Sequence, residues 1–277
     1  MFRSGNPSLG KDTFKKATPS FYQNKVSAAQ SQKAPSSGDF VDVTNRSKAS
    51  SDTSVMTLNG TVNKTAILLG IAFITAAWSW AQTQAGVSPT GFMIGGALGG
   101  FIVALIIIFK KTLAPTLAWL YAALQGMMLG AISAMFEKMY PGIAFQAVFL
   151  TFAVLGALLF AYKTRLIKVT ENFKLGLFAA TAGIALFYLV SFVIGFFGVN
   201  IPILSATNGS PMSIGFSVIV VIIAALNLVM DFDFIEEGAT QGAPKYMEWY
   251  GAFSLIVTLV WLYLEILRLL SKLQNRN

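Results

Sequence analysis

The chain alternates between long apolar runs and short polar or charged breaks. Residues 65–109, 112–136, 139–162 and 175–230 carry no charged side chain at all. A helix needs about 20 apolar residues to cross a bilayer's hydrocarbon core, so the positions of the charges set the number of crossings. The first run is too long for one helix and is interrupted by Gly86-Val-Ser-Pro-Thr-Gly91, where proline and two glycines favour a turn. It therefore predicts a helical hairpin. The second and third runs predict one helix each, with Pro141-Gly142 at the turn between them. The fourth is divided by Gly198-Val-Asn-Ile-Pro202 and the polar stretch 205–211, which predicts spans five and six. A last run, Trp249 to Leu267, is apolar except for Glu265 and is closed by Arg268, Lys272 and Arg276. The expected fold class is an all-α membrane protein, a bundle of seven transmembrane helices over residues 57–277.

Residues 1–56 break the pattern. They are rich in Ser, Lys, Gln, Asn and Thr, show no helical period, and hold too few apolar residues to bury a core. A disordered basic tail is expected there, with contact to lipid or a partner as a lesser reading. Lys11, Lys15 and Lys16 interrupt what would otherwise be the apolar core of a secretory signal.

Composition agrees with a membrane assignment: 55% of the 277 residues are hydrophobic and only 12% charged, against about a quarter charged in soluble domains. The net charge of +8 sits in the tail and beside the apolar runs, which suits anionic lipid and topology rather than nucleic acid. Lys110, Lys111, Lys163, Arg165, Lys168 and Lys174 fall on the side of the tail, and the opposite connections carry only Lys138. The positive-inside rule then makes the N-terminus cytoplasmic, in a multi-pass protein of the cell (plasma or inner) membrane. Seven spans put the basic C-terminus outside, against that rule, so a re-entrant last span is the alternative. Gly95, Gly96, Gly99 and Gly100 give two overlapping GxxxG spacings, read first as packing within the molecule and second as a dimer seam.

The absence of Cys and His removes thiolate chemistry, the commonest zinc ligand and the usual neutral-pH proton shuttle. Without His there is no Ser-His site and no HExxH motif, so no enzyme is expected, and no cofactor beyond a weakly bound calcium. The last span has no mid-helix Lys to hold retinal.

Acidic residues in or near the apolar runs are the conspicuous chemistry, because an ionised side chain near the bilayer centre costs about 2.5 to 3.5 kcal/mol on insertion scales. Asp231 and Asp233 close the sixth run in Asn227-Leu-Val-Met-Asp-Phe-Asp-Phe-Ile235, Glu248 opens the seventh, and Glu265 lies late within it. Glu236 and Glu237 read as part of a solvated loop. No basic residue lies within these two runs to neutralise the four candidates, and Arg268, at i+3, is the nearest to Glu265. Positions i and i+2 lie about 200° apart on a helix, so one of Asp231 and Asp233 should face inward and the other outward. Facing carboxylates in a low-dielectric site tend to share a proton, which would make a pH-sensitive latch. Carboxylates also suit calcium, although two side chains alone make a weak site.

At these residues the chain resembles the Bax inhibitor-1-like family of seven-span membrane proteins, and especially its bacterial branch. Leu228 to Ile235 is similar to the family's sixth-span ending. Leu262-Tyr-Leu-Glu-Ile-Leu-Arg-Leu-Leu270 resembles its seventh-span pattern, and Tyr121-Ala-Ala-Leu-Gln-Gly-Met-Met-Leu-Gly130 its third-span stretch. The likeness runs over about residues 57–272. It implies a pH-dependent calcium leak with a protonation-sensitive pair, which carries over to Asp231 and Glu265. Departures are Gln125 where the family often has Glu, Asp233 where it often has Gln, and Glu265 where it has Asp. Glu265 lies 17 residues beyond Glu248, about 25 Å of helix, so a straight antiparallel pair of helices would keep Asp231 and Glu265 apart. Either the sixth span runs deeper, or the seventh is tilted or broken near Gly251, or Asp231 pairs with Glu248. The resemblance also implies a second class of function, an adaptor that binds membrane proteins such as a membrane protease. The tail and the GxxxG faces would serve it.

Overall fold

The computed structural model describes residues 55–198 and 201–276. Seven helices are long and apolar enough to cross a membrane. They are α1 (Leu58–Gln84), α2 (Pro89–Phe109), α3 (Ala114–Met139), α4 (Ile143–Lys163), α5 (Glu171–Gly195), α6 (Pro211–Thr240) and α7 (Met247–Gln274). The expected tail lies outside the described residues except for its last two. Val55 bridges Pro244, and the Met56 amide donates to the Ala243 carbonyl at 2.7 Å, so these two residues belong to the folded bundle.

Helix starts follow local chemistry. Thr57, Thr170 and Ser210 each accept a backbone N–H three residues on, giving α1, α5 and α6 side-chain caps. At the α3–α4 turn Gly142 takes φ +87°, a left-handed conformation open to glycine, and the Glu137 carboxylate accepts the Gly142 and Ala144 amides. Glu137 and Lys138 thus mark the turn, as the charge spacing predicts.

Two boundaries differ from the expected ones. The helix containing Asp231 does not end there but continues through Glu236 and Glu237 to Thr240, because charge is tolerated wherever a partner is available. Lys64 likewise lies inside α1 and not before it. The last span is a single unbroken helix and the most enclosed of the seven, with 61% of its apolar window buried, against 6% for α5. That geometry removes the re-entrant alternative. A helix at the centre of a bundle has its backbone satisfied and its side chains packed on all sides, which α7 achieves with two faces. Leu255, Leu259, Leu262 and Ile266 pack toward α6 and α4, while Ala252, Phe253, Ile256 and Val260 join Leu68, Ile107 and Ala118 from α1, α2 and α3.

One of the C-terminal cations that set the last span against the positive-inside rule is consumed by the fold. Lys272 is fully buried, and its ammonium donates to the Ile203 carbonyl (2.8 Å), the Ser213 carbonyl (3.2 Å) and the Ser217 hydroxyl (2.9 Å). Three donors meet three acceptors, tying the end of α7 to the start of α6.

Small residues set the helix spacing inside the molecule. A Cβ on Gly96 or Gly100 would strike α3, at Leu124 and Met128 or at the Gln125 side chain, as the intramolecular reading of the GxxxG spacing expects. Gly95 faces open space. A second pair, Gly126 and Gly130, brings α3 against the α1 backbone at Ala72 and Ala76.

Candidate functional site: four carboxylates with unequal surroundings

Glu248 stands at the start of α7 and is fully buried. Its Oε1 accepts the Thr57 amide and the Thr57 hydroxyl, both at 2.8 Å, and the Lys245 ammonium at 2.8 Å, while Oε2 meets the Lys64 ammonium. Gly60 is glycine because any Cβ there would collide with this carboxylate. Two cations and two hydrogen-bond donors saturate the group. Its chemistry is that of a clamp joining the start of α1 to the start of α7.

Asp233 lies on the outer side of α6 and pairs with Lys174 of α5 at 3.0 Å. Glu265, 2% exposed, accepts the Tyr188 hydroxyl at 2.9 Å and Arg268 at 3.1 Å, and Arg268 also donates to Tyr188 at 2.9 Å. The i+3 neutraliser expected for Glu265 is therefore in place, and Tyr188 completes a closed triad.

Asp231 differs from all three. It is buried, one oxygen accepts the Ser254 hydroxyl at 2.5 Å, and the other, Oδ2, has no partner. Among the described residues it makes no ion pair. It faces inward while Asp233 faces outward, as the 200° separation predicts.

The carboxylate pair expected from the resemblance is not formed. Asp231 sits at the level of Ser254, which is 11 residues before Glu265, about 16 Å along α7. Ser254 is six residues after Glu248, about 9 Å, and Glu248 is occupied by its own cations. Asp231 thus pairs with neither. Among the described residues no three acidic side chains gather as a metal site would need, and the Asp231–Glu265 calcium site has no geometric basis.

Several partners were invisible from the residues alone. Lys64, Lys174 and Lys245 stood as span boundaries or loop charges, and Tyr188 and Ser254 carried no signal. Only the turn-level proximity of Lys245 to Glu248, at i+3, could have been read. Among the described residues Gln125 provides the other buried side-chain atom without a partner, Oε1, and it stands where the resembled family often has Glu. Both orphaned oxygens thus fall within stretches that carry the resemblance.

No curated protein and no solved structure matches the chain. The family model described as Bax inhibitor 1 like matches residues 12–275, which extends the likeness through most of the N-terminal segment as well as all seven helices. A match over that length, on a seven-helix bundle, shows that the chain belongs to the Bax inhibitor 1 like family.

Proposed function

We propose that this protein is a pH-responsive cation leak of the cell membrane, and that Asp231 is its titrating group. The observation that carries the reading is the isolation of Asp231. Of the six acidic residues in α6 and α7, Asp233, Glu236, Glu237, Glu248 and Glu265 each meet a Lys or Arg, and Asp231 is buried with an oxygen free and, among the described residues, no ion pair. A buried polar atom without a partner is expensive unless function retains it. Protonation would turn this oxygen into a donor, and a proton or a passing cation would each answer its vacant lone pairs. A single carboxylate with a hydroxyl beside it holds calcium weakly, which fits permeation better than storage. The basic connections Lys110, Lys111, Lys163, Arg165 and Lys168 favour a cytoplasmic side for the end of the bundle nearer Asp231. With neither Cys nor His in the chain, transport fits it better than catalysis.

The test is calcium flux into liposomes holding the purified protein at a series of pH values from about 6 to about 8. Wild-type flux should depend on pH, and Asp231→Asn should abolish that dependence. No flux at any pH from folded protein would end the leak reading and favour the adaptor. Of the two GxxxG spacings, the Gly96–Gly100 face is spent on α3, while Gly95 faces open space.

A further inference from the structure

A cavity of about 500 Å³ lies on the side of the bundle away from α5, between α1, α3, α4 and α7. Its floor is Ile256, Leu259, Val260 and Tyr263 of α7, and its walls include Ala76 and Trp80 of α1 and Ala144 and Val148 of α4. Helices α1 and α4 make little direct contact here. The stacked rings of Phe73 and Phe152, with centroids 5.8 Å apart, span the gap at one point, and both are partly exposed where the bundle would face lipid.

The side-chain hydroxyls of the lining are already engaged. Ser133 and Tyr263 share a hydrogen bond of 2.6 Å, Ser133 also donates to the Leu129 carbonyl, and Thr151 donates to the Ala147 carbonyl. Water entering this space would find almost nothing to bond, and apolar cavities of this kind stay dry. An empty space would forfeit the dispersion contacts of its whole lining. The filler must therefore be hydrocarbon, and the hydrocarbon surrounding a membrane-spanning bundle is lipid. The volume falls within the range of roughly 300 to 1,000 Å³ usual for small-molecule sites.

Charge supplies the other half of a lipid. Beyond the Trp80 and Ser133 end of the cavity stands Lys138, exposed, with its ammonium 3.2 Å from the Thr83 carbonyl at the end of α1. The neighbouring Glu137 forms no ion pair with it, its carboxylate turning instead to the Gly142 and Ala144 amides. Trp80 and Lys138 have the placement of an interfacial aromatic and a headgroup-level cation.

We infer that the cavity between α1, α3, α4 and α7 is a binding site for one membrane phospholipid, with an acyl chain in the apolar space and the phosphate beside Lys138. The site is separate from Asp231, so its failure and that of the leak reading are independent.

The test uses the full-length protein in vesicles of phosphatidylcholine and phosphatidylglycerol carrying a phospholipid with a photoactivatable acyl chain, followed by peptide mapping. In the wild type, labels should concentrate on Ala76, Ala144, Val148 and Tyr263 over outward-facing residues such as Phe192 and Ile219. Ala144→Phe, which fills the mouth, should lose that labelling while keeping the outward labels. Lys138→Gln, on the surface and not expected to disturb folding, should reduce retention of phosphatidylglycerol in native mass spectrometry of detergent-purified protein. Labelling confined to outward-facing residues in the wild type would overturn the site, whatever the variants do. Lining labels that persist in a folded Ala144→Phe protein would overturn the acyl-chain placement, and unchanged phosphatidylglycerol retention in Lys138→Gln would overturn the headgroup placement.

Discussion

Glu248 and Asp231 lie about two turns apart along the α6–α7 contact, yet one is surrounded by partners and the other is nearly alone. Glu248 receives two ammonium groups, a backbone amide and a hydroxyl from the start of α1 and the connection before α7, and Gly60 makes room for it. Asp231 receives the Ser254 hydroxyl, has the Thr258 hydroxyl beside it, and meets no cation among the described residues. Burial is similar, so burial does not separate a structural carboxylate from a candidate functional one. What separates them is whether the surrounding segments bring charge. A clamp needs its charge permanently compensated, because breaking a buried pair leaves an unpaired ion behind. A titrating group needs the opposite, since a fixed cation would hold it ionised across the working pH range.

The comparison breaks most severely at Glu248. Glu248→Ala leaves Lys64 and Lys245 without their counter-ion and the start of α1 without its anchor. It should destabilise the protein by about 3 kcal/mol or more, read as a fall in the detergent melting temperature. If the variant melts like the wild type, the clamp is ornamental and the contrast collapses.

Glu265→Gln tests the neighbouring triad. Glutamine can still meet Tyr188 but no longer balances Arg268, so a loss of about 1.5 to 3 kcal/mol is expected by melting, the worth of a charge-assisted hydrogen bond. Its flux should stay pH-dependent. Loss of pH response in this variant would restore Glu265 as a partner of Asp231 and contradict the distances along α7.

Asp233→Asn removes a partly exposed pair with Lys174, so it should change stability by about 1 kcal/mol or less and leave the pH profile of flux in place. The sharpest contrast comes from the smallest expected change in stability. Asp231→Asn keeps the hydrogen bond to Ser254 and removes an uncompensated charge, so its melting temperature should match or exceed that of the wild type, within about 1 kcal/mol. Its flux should no longer respond to pH. A large destabilisation would instead mark Asp231 as a structural group like Glu248.

How far the sequence could be read depended on whether a feature is local. Charge-free runs at 65–109, 112–136, 139–162 and 175–230, with the Gly and Pro breaks inside them, located the first six spans, and the run from Trp249 to Leu267 the seventh, because the bilayer imposes one length on all crossing helices. That Asp231 and Asp233 face opposite ways followed from helical periodicity, though not which of them faces inward, and the Arg268 partner of Glu265 followed from its i+3 spacing. Span ends were less legible: charges at Asp233, Glu236 and Glu237 resemble the end of a helix until Lys174, Tyr162 and Arg165 are seen to meet them.

By itself, then, the sequence determined that this is a seven-helix membrane protein with acidic residues concentrated in its last two spans, since hydropathy and helical geometry act over a few turns. Only the tertiary structure decided which of those carboxylates is a clamp and which is left with an open oxygen. That choice depends on Lys64, Lys174 and Tyr188, which come from α1 and α5, far from α6 and α7 in the chain. An ion pair in a low-dielectric bundle is set by side-chain separations of a few ångströms, and no spacing along a single helix encodes those.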